Sequence, residues 1–424
     1  MRRVLLAISL FSAIPLAAAV RLTYTNSPGG PAVPIFWPSS AFPLQYRVDR
    51  RVANLLPGGE ASIASAFAAW SAIPDANISF KSLGVVDAMK AGPDGINTIT
   101  MCDGLFSGQG AIAMTTNWHN DDGSIKEADI MLDPSVASSG YSVQQAIEHE
   151  IGHFLGLDHS AVLTSVMYPY IGKDGLAALD SDDKIAIATL YPRVDPTLAG
   201  ATLKGHVTGN DGAIFGAQVV AVNDHGEPTA TGLSDANGDF VLQGVPPGTY
   251  RIYAEPLDGP VDPRNLAGVW RETKMTSFPT KFISGAPIAV ASGRVYGNLV
   301  VNASGAPATL NPKWIGTSAA DHADFALLSM PAVVRPGQTI ALAVGGDGFT
   351  SGMTTFEVLN PAVQRISDFR YASNFAYATF RVAPDAKNGS AVILVTSGND
   401  TATLTGAIRV DAGPTAPHMR SVRK

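Results

Sequence analysis

The sequence predicts a multidomain chain: a mixed α+β region followed by two all-β sandwiches. Length is the first observation. With 424 residues, about 150 per domain leaves room for roughly three domains. Turn content is the second, since 42 glycines and 29 prolines point to a turn-rich, β-rich architecture. Periodicity is the third. Helix-length apolar patterns lie before residue 192, while residues 202–301 carry short alternating runs with regular turns.

Residues 1–19 read as an address rather than as structure. Met1-Arg2-Arg3 is basic, Val4 to Leu16 is apolar and broken by Pro15, and Ala17-Ala18-Ala19 offers a small-residue cleavage site. A spanning helix needs about 20 apolar residues, so a signal peptide cleaved near Ala19 is the better reading. No later stretch reads as a span. The mature chain is therefore expected to be secreted, without a transmembrane anchor, and monomeric.

The mixed region covers 30–192. Glu60 to Ile73 is Ala-rich, with Ile63, Phe67 and Trp70 on one helical face. Asn77 to Phe80, Asn97 to Met101, Gly110 to Thr115 and Ala128 to Leu132 read as strands. Tyr141 to Leu155 reads as a helix, with Ser142 as N-cap, Gln145 in the reciprocal position and Gly156 past its end. A last helix spans Ser181 to Leu190. Residues 193–201 form a linker, and the first β-sandwich follows over 202–301. Residues 302–313 read as a second linker, the second sandwich covers 314–411, and 412–424 form a disordered tail.

Charge and sulfur narrow the function. A formal net charge of −7 argues against nucleic acid as a partner, which calls for a basic patch. The single cysteine, Cys102, excludes an intramolecular disulfide and a cysteine-built zinc site. It reads as a small buried apolar residue.

Chemistry concentrates in His149-Glu150-Ile151-Gly152-His153-Phe154-Leu155-Gly156-Leu157-Asp158-His159. Residues four apart leave one face of a helix, so His149 and His153 can share one divalent ion. Glu150 lies beside them, within reach of a water at that ion. Gly156 permits the turn that brings His159 back as a third ligand. Three histidines with an open position suit a catalytic zinc rather than a structural one. Zinc acidifies its water toward a pKa of about 7, and Glu150 is the candidate general base. The plainer alternative is a helix with three hydrogen-bonded or exposed histidines.

This motif, followed by Ser165-Val166-Met167-Tyr168-Pro169, resembles the metzincin metalloendopeptidases and their methionine turn. Ser160 directly after the third histidine is similar to the matrixins, the matrix-metalloproteinase group. So are Ala66 to Trp70 with Ile78 to Phe80, and Gly123 to Leu132. The resemblance implies an α+β domain built on a twisted, mainly parallel sheet. It implies that Met167 floors the metal site and that Asp182 and Asp183 support the methionine turn. Their alternative reading is an N-cap and first-turn acid. It also implies polypeptide substrates laid along an edge strand, for which Gly110, Ala111, Ile112, Ala113 and Met114 are the candidates. Tyr168 to Tyr170 are candidates for walling the pocket.

Two departures from the matrixin pattern stand out. Only His119 precedes the catalytic helix in the region where relatives hold a second zinc, so none is expected. Calcium has candidates in Asp121, Asp122, Glu127, Asp129 and Asp133, with a solvated acidic face as the alternative. Cys102 lies inside the domain, so a cysteine switch of the family's kind is not expected.

Thr202 to Pro256 resembles the carboxypeptidase regulatory-like, transthyretin-like fold, through Ser234 to Phe240 and Gly244 to Tyr250. Residues 257–287, with Trp270 and Phe278, read as a long surface loop. Val334 to Gly337 and Gly345 to Phe349 resemble an immunoglobulin-like module. The leading expectation is a secreted zinc-dependent endopeptidase. A non-enzymatic surface- or matrix-binding protein with a vestigial metal site is the rival. Self-processing near 193–201 or 302–313 is a third reading.

Overall fold

The computed structural model describes residues 20–25, 32–102, 111–173, 178–194, 200–273, 276–320 and 322–413. The segment read as a signal peptide lies outside these, as do Gly110 and all but the first two residues of the tail.

The first unit opens with a small hairpin, β1 (Thr23–Thr25) and β2 (Ala32–Pro34). Just before it, Leu22 N–H donates to Gly156 O and Asp158 N–H donates to Val20 O. The start of the described chain thus lies along the loop after the histidine helix. The main sheet is built from β3 (Leu44–Asp49), β4 (Phe80–Val86), β5 (Thr98–Met101), β6 (Ala113–His119) and β7 (Ile125–Leu132), in the order β4-β3-β5-β7-β6. Every pairing is parallel except β6 with β7. β3 is absent from the sequence reading, although Leu44, Tyr46 and Val48 are buried and alternate with the more exposed Gln45 and Arg47, the pattern of a strand with one face in the core.

Short α1 (Arg50–Ala53) follows β3, and α2 (Glu60–Ser71) packs on the sheet. Ile63, Phe67 and Trp70 are buried as the periodicity predicts. Phe67 stacks on Tyr46 at 4.1 Å between centroids. Trp70 Nε1 donates to Glu148 O at 3.0 Å, pinning α2 to the histidine-bearing helix. A buried indole needs such an acceptor.

After short α3 (Val136–Ser139), that helix is α4 (Val143–Phe154), and α5 (Ser181–Leu190) closes the unit. Ser142 caps α4 by accepting from Gln145 N at 3.2 Å. The reciprocal bond of a capping box is not made: Gln145 Oε1 is buried with no partner. The full capping box sits instead on α5, between Asp180 and Asp183. The end of α4 is a Schellman turn. Leu157 N donates to Gly152 O at 3.0 Å and Gly156 N to His153 O at 2.9 Å. Gly156 has φ +97°, and a Cβ there would stand 2.5 Å from Ile35 O. Glycine is required on both counts.

The second unit is a sandwich of β8 (Ala201–Gly209), β9 (Gly212–Ala213), β10 (Gln218–Asn223), β11 (Pro228–Leu233), β12 (Asp239–Val245), β13 (Gly248–Glu255), β14 (Lys281–Phe282), β15 (Ile288–Val290) and β16 (Val295–Asn302). One sheet runs β11-β10-β13-β14 with β15 also on β13; the other runs β12-β8-β16 with β9 on β8. Residues 257–287 are not a plain surface loop. Trp270 and Phe278 are buried, and two 3-10 turns, Pro263–Asn265 and Gly268–Glu272, fold back on the first unit.

The third unit comprises β17 (Asn311–Ala319), β18 (Ala332–Val334), β19 (Thr339–Asp347), β20 (Thr354–Val358), β21 (Val363–Arg365), β22 (Arg370–Tyr371), β23 (Phe375–Val382), β24 (Gly389–Ser397) and β25 (Asp400–Val410). Its sheets run β17-β19-β23-β21, with β22 on β23, and β18-β25-β24-β20. Asn311 to Lys313, read as linker, already belong to β17. Pro312 sits at a register shift on the sheet edge, a place where a strand tolerates proline.

The three units pack on one another. Val220, Val222 and Tyr253 form a buried cluster with Val392. Leu163 and Tyr168 of the first unit join the core of the third. Cys102 is half-buried rather than buried, and its N–H donates to Leu132 O; it stands just past the end of β5. Among the described residues no helix is long and apolar enough to cross a membrane.

Candidate metal centre and active-site cleft

Helix α4 brings His149 and His153 onto one face, and the Schellman turn returns His159 to meet them. His153 Nε2 lies 3.1 Å from His149 Nε2 and 3.2 Å from His159 Nε2. The opposite ring nitrogens fix the tautomers. His149 Nδ1 donates to Val166 O at 2.7 Å, His153 Nδ1 to Leu157 O at 2.8 Å, and His159 Nδ1 to Asn265 O. A carbonyl only accepts, so each Nδ1 carries the hydrogen and each Nε2 presents a lone pair.

Three lone pairs therefore converge with no proton between them. That arrangement is repulsive unless a cation occupies its centre. Zinc bonds of about 2.0–2.1 Å in tetrahedral geometry place ligand nitrogens about 3.3 Å apart, which the observed spacing matches. Burial pushes His149 down to about 3 and lowers His153 and His159 as well. Neutral imidazole is the metal-binding form.

Glu150 is buried beside them. Burial raises it to about 7, and the hydrogen bond from Thr115 pulls in the other direction. Thr115 Oγ1 donates to Glu150 Oε2 at 2.6 Å. Asn117, two residues along β6 and on the same face, donates to His153 O at 3.1 Å. Neither residue was singled out from sequence. Strand alternation facing a helix was the signal available.

The edge strand lies further along the chain than the sequence predicts. β6 runs from Ala113 to His119, not from Gly110 to Thr115. Its register against β7 is set by the Asn120 to Gly123 turn, which pairs Ala113 with Leu132. Ala111 and Ile112 precede the strand, although Asp133 N–H still bonds to Ile112 O. β6 is the last strand of the sheet, and Ala111 to Thr115 line the cleft with the histidines.

Met167 packs directly under α4. A Cβ at Gly152 would stand 2.1 Å from its sulfur, so the glycine inside the motif makes room for the methionine. Asp183 holds this turn: its carboxylate accepts from Ser165 Oγ at 2.5 Å, Val166 N at 2.8 Å and Met167 N at 3.3 Å. Val166 in turn offers His149 its carbonyl. Asp182 faces elsewhere, accepting from Ser160 Oγ at 2.8 Å and from Thr231 Oγ1 of the second unit at 2.8 Å.

The two tyrosines separate. Tyr170 is exposed and lines the cleft. Tyr168 is buried, its hydroxyl donating to Ser329 O at 2.7 Å on the third unit, so it does not wall the pocket. Four of the five calcium candidates are engaged otherwise. Glu127 and Asp129 accept backbone N–H bonds from Gly92, Asp94, Gly95 and Thr98. Asp122 and Asp133 cap local turns. The carboxylates of Glu127 and Asp129 thus bind the 92–98 loop directly, and the calcium expectation has no support.

The cleft in front of the histidines encloses about 620 Å³. One side is β6, the floor is α4 and the methionine turn, and the remaining wall includes Arg264, Asn265 and Leu266 of the second unit.

Residues 37–192 match the family model of the Matrixin peptidases, and residues 202–258 match that of the carboxypeptidase regulatory-like domain. Three curated relatives are similar to the chain. Karilysin of Tannerella forsythia is 43% identical over 58 residues, 13% of this chain and 12% of the relative. Matrix metalloproteinase-9 of Canis lupus familiaris is 45% identical over 58 residues, 13% of this chain and 8% of that protein. Metalloendoproteinase 2-MMP of Arabidopsis thaliana is 30% identical over 207 residues, 45% of this chain and 50% of the relative. The chain spans half or less of each. It combines a matrixin-like metzincin domain with a carboxypeptidase regulatory-like domain.

Proposed function

We propose that the protein is a secreted zinc metalloendopeptidase. Its matrixin-like unit would span 30–192 and be followed by modules at 202–301 and 314–411, the latter immunoglobulin-like. The observation that carries this reading is the convergence of three Nε2 lone pairs beside a buried carboxylate. Family-level similarity supports zinc protease chemistry at that place.

His149, His153 and His159 would hold the ion. Zinc bound there supplies a Lewis acid that polarises a peptide carbonyl and acidifies a water. The chain's own groups do the rest. β6 offers its open edge to an extended peptide, whose backbone adds as a further strand. Glu150 takes a proton from the attacking water and delivers it to the departing amine. Thr115 keeps the carboxylate oriented, and its hydrogen bond favours the charged form that a base requires. Met167 and the buried turn around it keep the floor dry and the His149 ring in place.

The test is direct. The mature chain is purified, its zinc content measured, and cleavage of a denatured protein followed with and without a chelator, beside Glu150→Ala. About one zinc per chain, chelator-sensitive cleavage and a dead Glu150→Ala variant are expected. A zinc-loaded wild type that cuts nothing would overturn the peptidase reading and favour a binding protein with a vestigial site. Cleavage confined to its own chain would favour self-processing.

A further inference from the structure

His149 and His153 take their outer partners from their own unit, but His159 does not. Its Nδ1 donates to the carbonyl of Asn265, 106 residues away on the second unit. Its backbone N–H donates to Asp158 Oδ1 at 2.8 Å, and Asp158 Oδ2 accepts from Ala267 N at 2.9 Å. One short stretch of the second unit therefore grips the third histidine by ring and, through Asp158, by backbone.

That stretch is itself tightly built. Pro263 opens a 3-10 turn. The Asp262 carboxylate accepts from Arg264 N at 2.8 Å, and Asn265 Oδ1 accepts from Asp262 N at 3.0 Å. Asn265 N–H donates to Asp262 O at 2.9 Å, and Asn265 Nδ2 donates to the Tyr170 hydroxyl at 3.2 Å. A second contact holds the far side of the same loop, where Thr231 reaches Asp182 and Asp182 reaches Ser160, next to His159.

The geometry points to the Asp262–Ala267 turn as a positioning element of the metal centre, one that couples metal binding to the seating of the second unit. The inference rests on the metal site proposed above and not on its peptidase activity. A histidine ligand whose outer hydrogen-bond partner is displaced typically loses 10–100-fold in metal affinity. Coupling of this kind is reciprocal: whatever the turn adds to metal binding, bound metal adds to the docking of the turn.

Two measurements on the full mature chain test it. Asn265→Ala removes the Oδ1 that closes the turn, whereas Asn265→Asp keeps an acceptor in the same place. Asn265→Ala should weaken zinc binding about 10-fold in chelator competition and alter the visible absorption of the Co²⁺-substituted protein. Asn265→Asp should restore both toward wild type. The second measurement needs no variant. Hydrogen–deuterium exchange of the wild type, zinc-free and zinc-loaded, should show protection gained across 262–272 when metal binds. Unchanged affinity and cobalt absorption in Asn265→Ala, or identical exchange of 262–272 with and without zinc, overturns the proposal; if the variant does not fold, the exchange experiment decides. Neither readout requires turnover. Coupling without cleavage would sink only the peptidase reading, and cleavage without coupling would sink only this one.

Discussion

The two sides of the cleft hold their histidines by different means. The α4 side is built within one unit: residues four apart on one helix, a Schellman turn, and acceptors at Leu157 and, 17 residues on from His149, Val166. The opposite side is assembled from a distance, by a carbonyl and an N–H of the 262–267 turn. A helix sets two imidazoles by its pitch alone. The third histidine lies beyond the helix, and its ring has no regular structure to hold it, so another part of the chain must supply the acceptor.

The sharpest test of the local side is Glu150→Gln, which keeps the shape and removes the base. A loss of about 10³-fold in kcat is expected, with zinc content retained; near-normal turnover would move the base elsewhere. Next is Asp183→Ala, which strips the methionine turn of its acceptor and leaves buried N–H groups unpaired. Zinc affinity should fall about 10–100-fold as Val166 releases the His149 ring, and equilibrium dialysis reads this. Unaltered affinity would show that the turn holds itself.

Thr115→Val is milder. It leaves the buried Glu150 carboxylate without its partner at similar volume. A drop of about tenfold in kcat with little change in KM is expected, because a carboxyl deprived of that hydrogen bond is a less available base. A change confined to KM would instead make Thr115 a substrate contact.

The smallest effect concerns the seating of the second unit on the third. Glu255 is buried there, accepting from Thr405 Oγ1 at 2.5 Å, Gln218 Nε2 at 3.0 Å and Thr403 Oγ1. Burial raises it from 4.5 to about 7. A raised carboxyl binds its proton more tightly when folded. Its stabilisation is therefore complete below its unfolded value and is lost as pH rises through the folded one. Melting temperature should fall between pH 4.5 and about 7 on this account. Glu255→Gln should flatten that slope and raise the melting temperature on its alkaline side. A slope that persists in the variant assigns it to another group.

Much of this was legible in the sequence where the signal is short-range. The helix at 60–71, the helix at 181–190 and the histidine spacing all follow from periodicity and capping residues. Gly156 follows from the turn it must make. Elements that depend on partners were missed or displaced. β6 was placed three residues early because its register is decided by β7. Only the first three residues of β17 read as linker, because an edge strand can carry proline and polar residues. Tyr168 looked like a pocket residue until the third unit covered it.

Local order along the chain thus determined the candidate chemistry: which side chains can meet at a metal, which carboxylate stands beside them, and how two of the histidines share a helical face. Those facts depend on backbone pitch and on neighbours in sequence. Only the tertiary structure decided what holds His159, which acid supports which turn, and what walls the cleft. Each of these depends on contacts between residues distant in sequence, from 16 positions for Met167 with Asp183 to 106 for His159 with Asn265. No periodicity encodes such a pair, because its partners meet only after the units have packed.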